Sequence, residues 1–294
     1  MRDLRGFTII ELVVVVAIIA LLATMLLPVL GQVRWVARRG VCMGQLRNAT
    51  DGLLIYASSA TNKGYLPTRG FKDARFDVIG SDLTSEKGWV DGSYDAADSN
   101  SRNLFLAVRL KHVQPGLLVC PNTEDKPAAT SSGGQAHYDF DVDVGGTYEN
   151  KLSYSYHLQF ADRDGAPGYP LTNSADTRMA VLADRNPFVI YVNAQGQTAA
   201  ATGGGFQAIE IRIPPGVTAS RANSPNHDGK GQNVAFLDGR VKWTDAPTVG
   251  PDARMISGQD HSDNIYTVWD DDHTNGTIAG GSMPQHELDC FLVP

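Results

Sequence analysis

The stretch Arg5-Gly6-Phe7-Thr8-Ile9-Ile10-Glu11-Leu12 opens an apolar run that continues without a charged residue from Leu12 to Val33. About 20 apolar residues suffice for a helix to cross a bilayer, and this run exceeds that. A secretory signal would carry a shorter apolar core, about 7–15 residues, closed by a small-residue cleavage site that is missing here. A plain membrane anchor explains the length but not Glu11. A carboxylate held in hydrocarbon is costly unless it is paired or reaches the interface. A cut between Gly6 and Phe7 would create an α-amino cation one helical turn from Glu11. That cation could be met within one chain or between neighbouring copies, where the pairing would fix their axial register.

This stretch resembles the class III prepilin signal of type IV pilins and type II secretion pseudopilins. The resemblance implies cleavage after Gly6 by a membrane peptidase, methylation of the new N-terminal Phe7, and a role for Glu11 in assembly. The family's helix-perturbing proline is matched by Pro28, where the missing amide would kink the helix. Charge does not settle orientation independently, because Arg2 and Arg5 on one flank face Arg34, Arg38 and Arg39 on the other. The leader implies a cytoplasmic N-terminus and a periplasmic C-terminal domain.

Of 25 Lys/Arg and 32 Asp/Glu in the 294 residues, six and two fall within residues 1–47, leaving a body of net charge −11. Such a body repels phosphate, so no nucleic-acid partner is expected. The basic residues beyond the apolar run read as a headgroup-facing or solvated helix face. Three cysteines, Cys42, Cys120 and Cys290, allow one internal bridge, and their spacing does not suggest zinc.

Beyond the membrane, Cys42, Leu46, Ala49, Leu53 and Tyr56/Ala57 form an apolar stripe at helical spacing, so the helix is expected to run to about Ala57. Gly64-Tyr65-Leu66-Pro67 carries turn chemistry. Residues 68–101 and 122–150 read as loops, and residues 193–206 as a small-residue, mobile segment. A short helix is expected at Asn103 to Val113, and strands at Gly116 to Pro121, Leu152 to Phe160, Met179 to Leu182, Val189 to Val192 and Ile209 to Ile213. The clearest hairpin joins Asn233 to Leu237 with Arg240 to Trp243 through Asp238-Gly239, a pair that favours a two-residue type I′ turn. Only Ile265 to Trp269 looks regular in the acidic tail.

Before that hairpin lies Asn226-His227-Asp228-Gly229-Lys230-Gly231. His227 with Asp228 or Asp238 could bind a metal or transfer protons, but the glycines fit a tight structural loop equally, and that reading is preferred. Loop and hairpin resemble a C-terminal signature of His, nine residues and Asp-Gly found in many prepilin-type proteins; here ten residues separate His227 from Asp238-Gly239. The same resemblance implies a bridge between Cys42, on the long helix, and Cys120, before Pro121; Cys120–Cys290 is the second choice. His157 falls on the polar face of its strand. Asp139, Asp141 and Asp143 fail the EF-hand pattern, with Val144 and Asn150 where Gly and Glu are needed, and read as alternating residues of a strand. His286-Glu287 lacks the second histidine of a zincin. Calcium in the tail, with Asp260, Asp263, Asp270, Asp271 and Asp272, is the cofactor left open; otherwise none is expected, and no metal ligand is assigned.

The expected fold is α+β and pilin-like: a long N-terminal helix, its first half in the membrane, packed on a small antiparallel sheet with long loops. The divisions are a leader at 1–6, a transmembrane and assembly helix at 7–33, a helical spine at 34–67 and a globular domain at 68–294. The expected function is structural, not enzymatic: a subunit of a type IV pilus or secretion pseudopilus. Its partners would be prepilin peptidase, copies of itself or related pilins, and the inner-membrane assembly machinery. The alternative is a membrane-tethered periplasmic metal- or ligand-binding protein or enzyme using the His227 loop.

Overall fold

The computed structural model describes residues 8–68, 100–140, 151–159, 169–193, 206–214, 217–218, 221–252, 262–267, 276–278 and 290–293. Helix α1 spans Ile9–Ser58. The chain divides into two compact units, Met1–Gly40 and Val41–Pro294.

In the first unit, Ile9–Leu27 is long and apolar enough to cross a membrane, and none of it is buried. At about 1.5 Å per residue its 19 residues rise about 28 Å, close to the hydrocarbon thickness of a bilayer. The helix continues through Pro28. One turn earlier, the Thr24 hydroxyl donates to the Leu21 carbonyl at 2.7 Å.

In the second unit the end of α1 supplies the expected stripe: Cys42, Leu46, Ala49, Leu53, Tyr56 and Ala57 are all buried. The helix stops in a 3-10 turn at Ala60–Asn62, followed by left-handed Lys63 (φ 51°) and Gly64 (φ 86°). Helix α2, Asn100–Arg109, packs against the same core through Leu104, Phe105 and Val108, with Phe105 edge-on to Phe140 at 5.1 Å between centroids. Just after α2 the chain crosses α1 at Gly52, where a Cβ would lie 2.4 Å from the His112 carbonyl oxygen.

The strands are β1 (Ser131–Ser132), β2 (Gln135–Ala136), β3 (Tyr154–His157), β4 (Ala180–Asp184), β5 (Val189–Asn193), β6 (Phe206–Ile213), β7 (Gln232–Phe236), β8 (Val241–Thr244), β9 (Thr248–Asp252), β10 (Ser262–Asn264), β11 (Gly276–Ile278) and β12 (Leu292–Val293). The main sheet is antiparallel in the order β12-β3-β4-β7-β8; a three-stranded sheet runs β11-β6-β5, and β1-β2 and β9-β10 form two-stranded pairs. A long helix followed by antiparallel sheets places the chain in the α+β class.

Several local expectations change. Residues 115–118 form a 3-10 turn, not a strand. Pro115 fits the first helical position, where its fixed φ is suitable and its missing donor is not needed. The hairpin at Asp238-Gly239 is not a type I′ turn. The Phe236 carbonyl accepts from Gly239 N, Phe236 N donates to the Arg240 carbonyl, and Gly239 (φ 79°), not Asp238, is left-handed. That is a three-residue loop closed by a glycine bulge. Leu237 explains the difference: its amide is committed to the carbonyl of Met179, the residue just before β4. His157 is not on a polar face. All four residues of β3 are buried, because the strand is paired on both edges and covered on both faces. Asp139 lies outside any strand and accepts from the Ser101 hydroxyl and the Phe140 amide. After β10, residues 265–267 turn instead of extending. The leader, most of 68–101, residues 141–150, most of 193–206, Trp269, and Asp260, Asp270, Asp271, Asp272, His286 and Glu287 fall outside the described residues.

Candidate functional site

Two places carry the residues singled out by sequence. The first is the start of α1. Thr8 N and Thr8 Oγ1 both donate to Glu11 Oε2, at 2.9 and 2.8 Å, and Glu11 N donates back to Thr8 Oγ1 at 3.3 Å. This is a reciprocal capping box: the hydroxyl satisfies an amide of the first turn while the carboxylate three residues on satisfies the cap's own amide. Thr-x-x-Glu before an apolar run is the sequence signature of such a cap. Gly6 and Phe7 lie outside the described residues, as does the side chain of Pro28.

The second place is in the body. Cys42 of α1 and Cys120, just after the 3-10 turn, form a disulfide with Cα atoms 5.4 Å apart, closing a separation of 78 residues. Cys290 does not take part; its sulfur lies elsewhere in the core and accepts from Ala180 N at 3.3 Å. His227 packs against the disulfide, with Nε2 3.8 Å from Cys120 Sγ. Its local turn aims it there. Ser224 caps the 3-10 turn Pro225–His227 by accepting from Asn226 N, and left-handed Asp228 and Gly229 reverse the chain behind it. Gly231 lets the chain enter β7 hard against the end of β8, since a Cβ there would lie 2.3 Å from the Thr244 carbonyl oxygen. His227 is fully buried, edge-on to Trp243 at 5.4 Å.

The carboxylate beside His227 is Asp184, neither Asp228 nor Asp238. Asp184 Oδ2 lies 3.3 Å from His227 Nε2, and both side chains are fully buried. The same carboxylate accepts from Asn233 N at 2.6 Å, Asn233 Nδ2 at 3.2 Å and Asn226 Nδ2 at 3.1 Å. Asn226 also donates to the Ser153 carbonyl, and its own carbonyl accepts from Asn122 at 2.6 Å. Beside this network Arg185 pairs with Asp125 and donates to the Leu152 carbonyl. By contrast, Asp228 meets Lys230, and Asp238 meets Arg240 on the exposed hairpin loop. Thus His227 and Asp238-Gly239 do not share a site. Asp263, from the acidic tail, is buried and accepts from Cys290 N at 2.6 Å.

Sequence reasoning missed Asp184. It sits at the end of β4 in a turn-like Asp-Arg-Asn-Pro segment, and only the register of β4 on β7 brings it to Asn233 and His227.

Residues 1–27, which include Gly6, Phe7 and Glu11, match the family model for the prokaryotic N-terminal methylation motif. No curated protein and no solved structure matches the chain. The motif, joined to an apolar helix of membrane-crossing length, makes this a pilin- or pseudopilin-like chain bearing a prepilin-type methylation signal.

Proposed function

We propose that the chain is a structural subunit of a type IV pilus or type II secretion pseudopilus, cleaved after Gly6, methylated at Phe7 and assembled through α1. The methylation motif at residues 1–27 carries this reading. The bare apolar surface of Ile9–Leu27 supports it, because that surface needs lipid before assembly and other copies afterwards. The partners are then prepilin peptidase, copies of the chain or related pilins, and the inner-membrane assembly machinery. The chain is held in the inner membrane with its N-terminus cytoplasmic and its body periplasmic. Burial of His227 inside the body, against a disulfide, fits a structural joint better than a site open to substrate. Intact-mass analysis of the membrane-extracted protein tests the proposal. Loss of residues 1–6 with gain of one methyl group is expected, and an unprocessed N-terminus would overturn it.

A further inference from the structure

We infer that Cys42, Cys120 and His227, with Asp184 as fourth donor, form a structural zinc site when the two cysteines are thiols. The ligand atoms of Cys42, Cys120 and His227 all lie within 4.8 Å of one another. A tetrahedral zinc ion with bonds of about 2.0–2.3 Å has S···N edges of about 3.5 Å and N···O edges of about 3.3 Å. The Cys120 Sγ to His227 Nε2 distance is 3.8 Å and the His227 Nε2 to Asp184 Oδ2 distance is 3.3 Å. His227 Nε2 therefore already stands near one tetrahedral edge from a sulfur and another from the carboxylate. Asp184 lies outside the group of atoms within 4.8 Å of one another, so the site closes by movement of its carboxylate and of the cysteine side chains toward the ion once the S–S bond is absent.

The donor set, two thiolates with an imidazole and a carboxylate, suits zinc rather than calcium or magnesium. Four protein ligands leave no open coordination position, which marks a structural and not a catalytic centre. The surroundings are arranged for it. Asn226 and Asn233 orient the Asp184 carboxylate, and the capped turn fixes the His227 ring. Such outer contacts are what hold metal ligands in place. Binding needs no oxidant or reductant: the chain is synthesised with both cysteines as thiols, zinc displaces their two protons, and His227 coordinates through the Nε2 lone pair with its proton on Nδ1. The disulfide and the zinc are thus two exclusive closures of the same joint between α1 and the body. The inference does not depend on the filament role.

The test uses the full chain, unfolded under a phosphine reductant and refolded into detergent with zinc present. Refolding in parallel under oxidising conditions without zinc establishes that the procedure works. Metal analysis after removal of loose ions is expected to give one zinc per reduced chain and none per oxidised chain. Cobalt(II) in place of zinc is expected to show the absorption of a tetrahedral thiolate complex. Cys42→Ser and His227→Gln should each weaken zinc binding at least tenfold. His227→Gln should still close the Cys42–Cys120 bond and resist protease when oxidised, which separates ligand loss from misfolding. A reduced chain that binds no zinc, or zinc retained undiminished in His227→Gln, overturns the inference.

Discussion

Glu11 answers to two physical demands. Its carboxylate completes a capping box with Thr8, and under the cleavage proposed after Gly6 it would also answer an α-amino cation one helical turn away. Glutamine separates these demands, because it serves in a capping box as glutamate does but carries no charge. Glu11→Gln is expected to leave membrane insertion and helix content unchanged while filament incorporation falls as far as in Glu11→Ala. Normal incorporation of Glu11→Gln, measured in sheared filament fractions, would reduce Glu11 to a cap. His157 makes a second prediction at this scale. Burial lowers its pKa from 6.5 to about 4. Above about pH 6.5 both folded and unfolded chains are neutral there. Between pH 6.5 and 4 the unfolded chain takes a proton that the folded chain refuses, so stability falls as pH drops through that window. The full loss is on the order of 3 kcal/mol, since each unit is worth about 1.4 kcal/mol. Urea midpoints from pH 7 to 4 should decline in the wild type and decline less in His157→Gln. The burial that drives this was not legible from Ser155-Tyr156-His157, whose alternation gives the faces of a strand but not what covers each of them.

At the scale of elements, α1 was the most legible part of the chain, because its apolar run and the Cys42-to-Ala57 stripe are local patterns that neighbouring residues set together. The close crossing at Gly52 was not legible, since it depends on where the chain after α2 lands. Helix propensity alone favours Gly52→Ala by about 1 kcal/mol. A Cβ there would meet the His112 carbonyl oxygen at 2.4 Å and Val113 Cγ2 at 2.8 Å. Overpacking of this kind costs about 1–3 kcal/mol. A net fall in the thermal midpoint is therefore expected, whereas a rise would show that the two segments separate freely. The disulfide ties the same helix to the body across 78 residues. Reducing it in zinc-free buffer should lower unfolding stability by about 2–4 kcal/mol, read as a lower denaturant midpoint. Its pairing came from the family resemblance alone. His227 was visible as a motif residue, but its partners were not. Asp184, Asn233 and Cys120 come from separate segments, and only sheet register and the turn before β7 bring them together. For the same reason the zinc inference could not come from cysteine spacing, which reveals a site only when its ligands sit close along one segment.

At the scale of the whole molecule, the chain joins an apolar segment that favours contact with its own kind to a body that opposes it. Beyond Arg47 the net charge is −11. Bodies of that charge brought side by side repel through water, and the repulsion is screened over about 10 Å at 0.1 M salt, against about 30 Å at 0.01 M. In the proposed filament, pairing of Glu11 with an amine among packed apolar helices would lie in a low-dielectric setting, where salt screens much less. The two forces therefore respond differently to ionic strength. Raising salt relieves the repulsion between bodies and leaves the attraction along α1 nearly unchanged. Self-association of the processed, detergent-solubilised chain is expected to strengthen as salt rises from about 0.01 to 0.1 M. Analytical ultracentrifugation at fixed detergent can follow it. Glu11→Gln should associate more weakly at every salt concentration yet keep the same upward trend, because the trend belongs to the bodies and the offset to the helix. Association that weakens with salt would mean that exposed ion pairs between bodies, not the apolar helix, hold the copies together, and would move the assembly surface from α1 to the sheets.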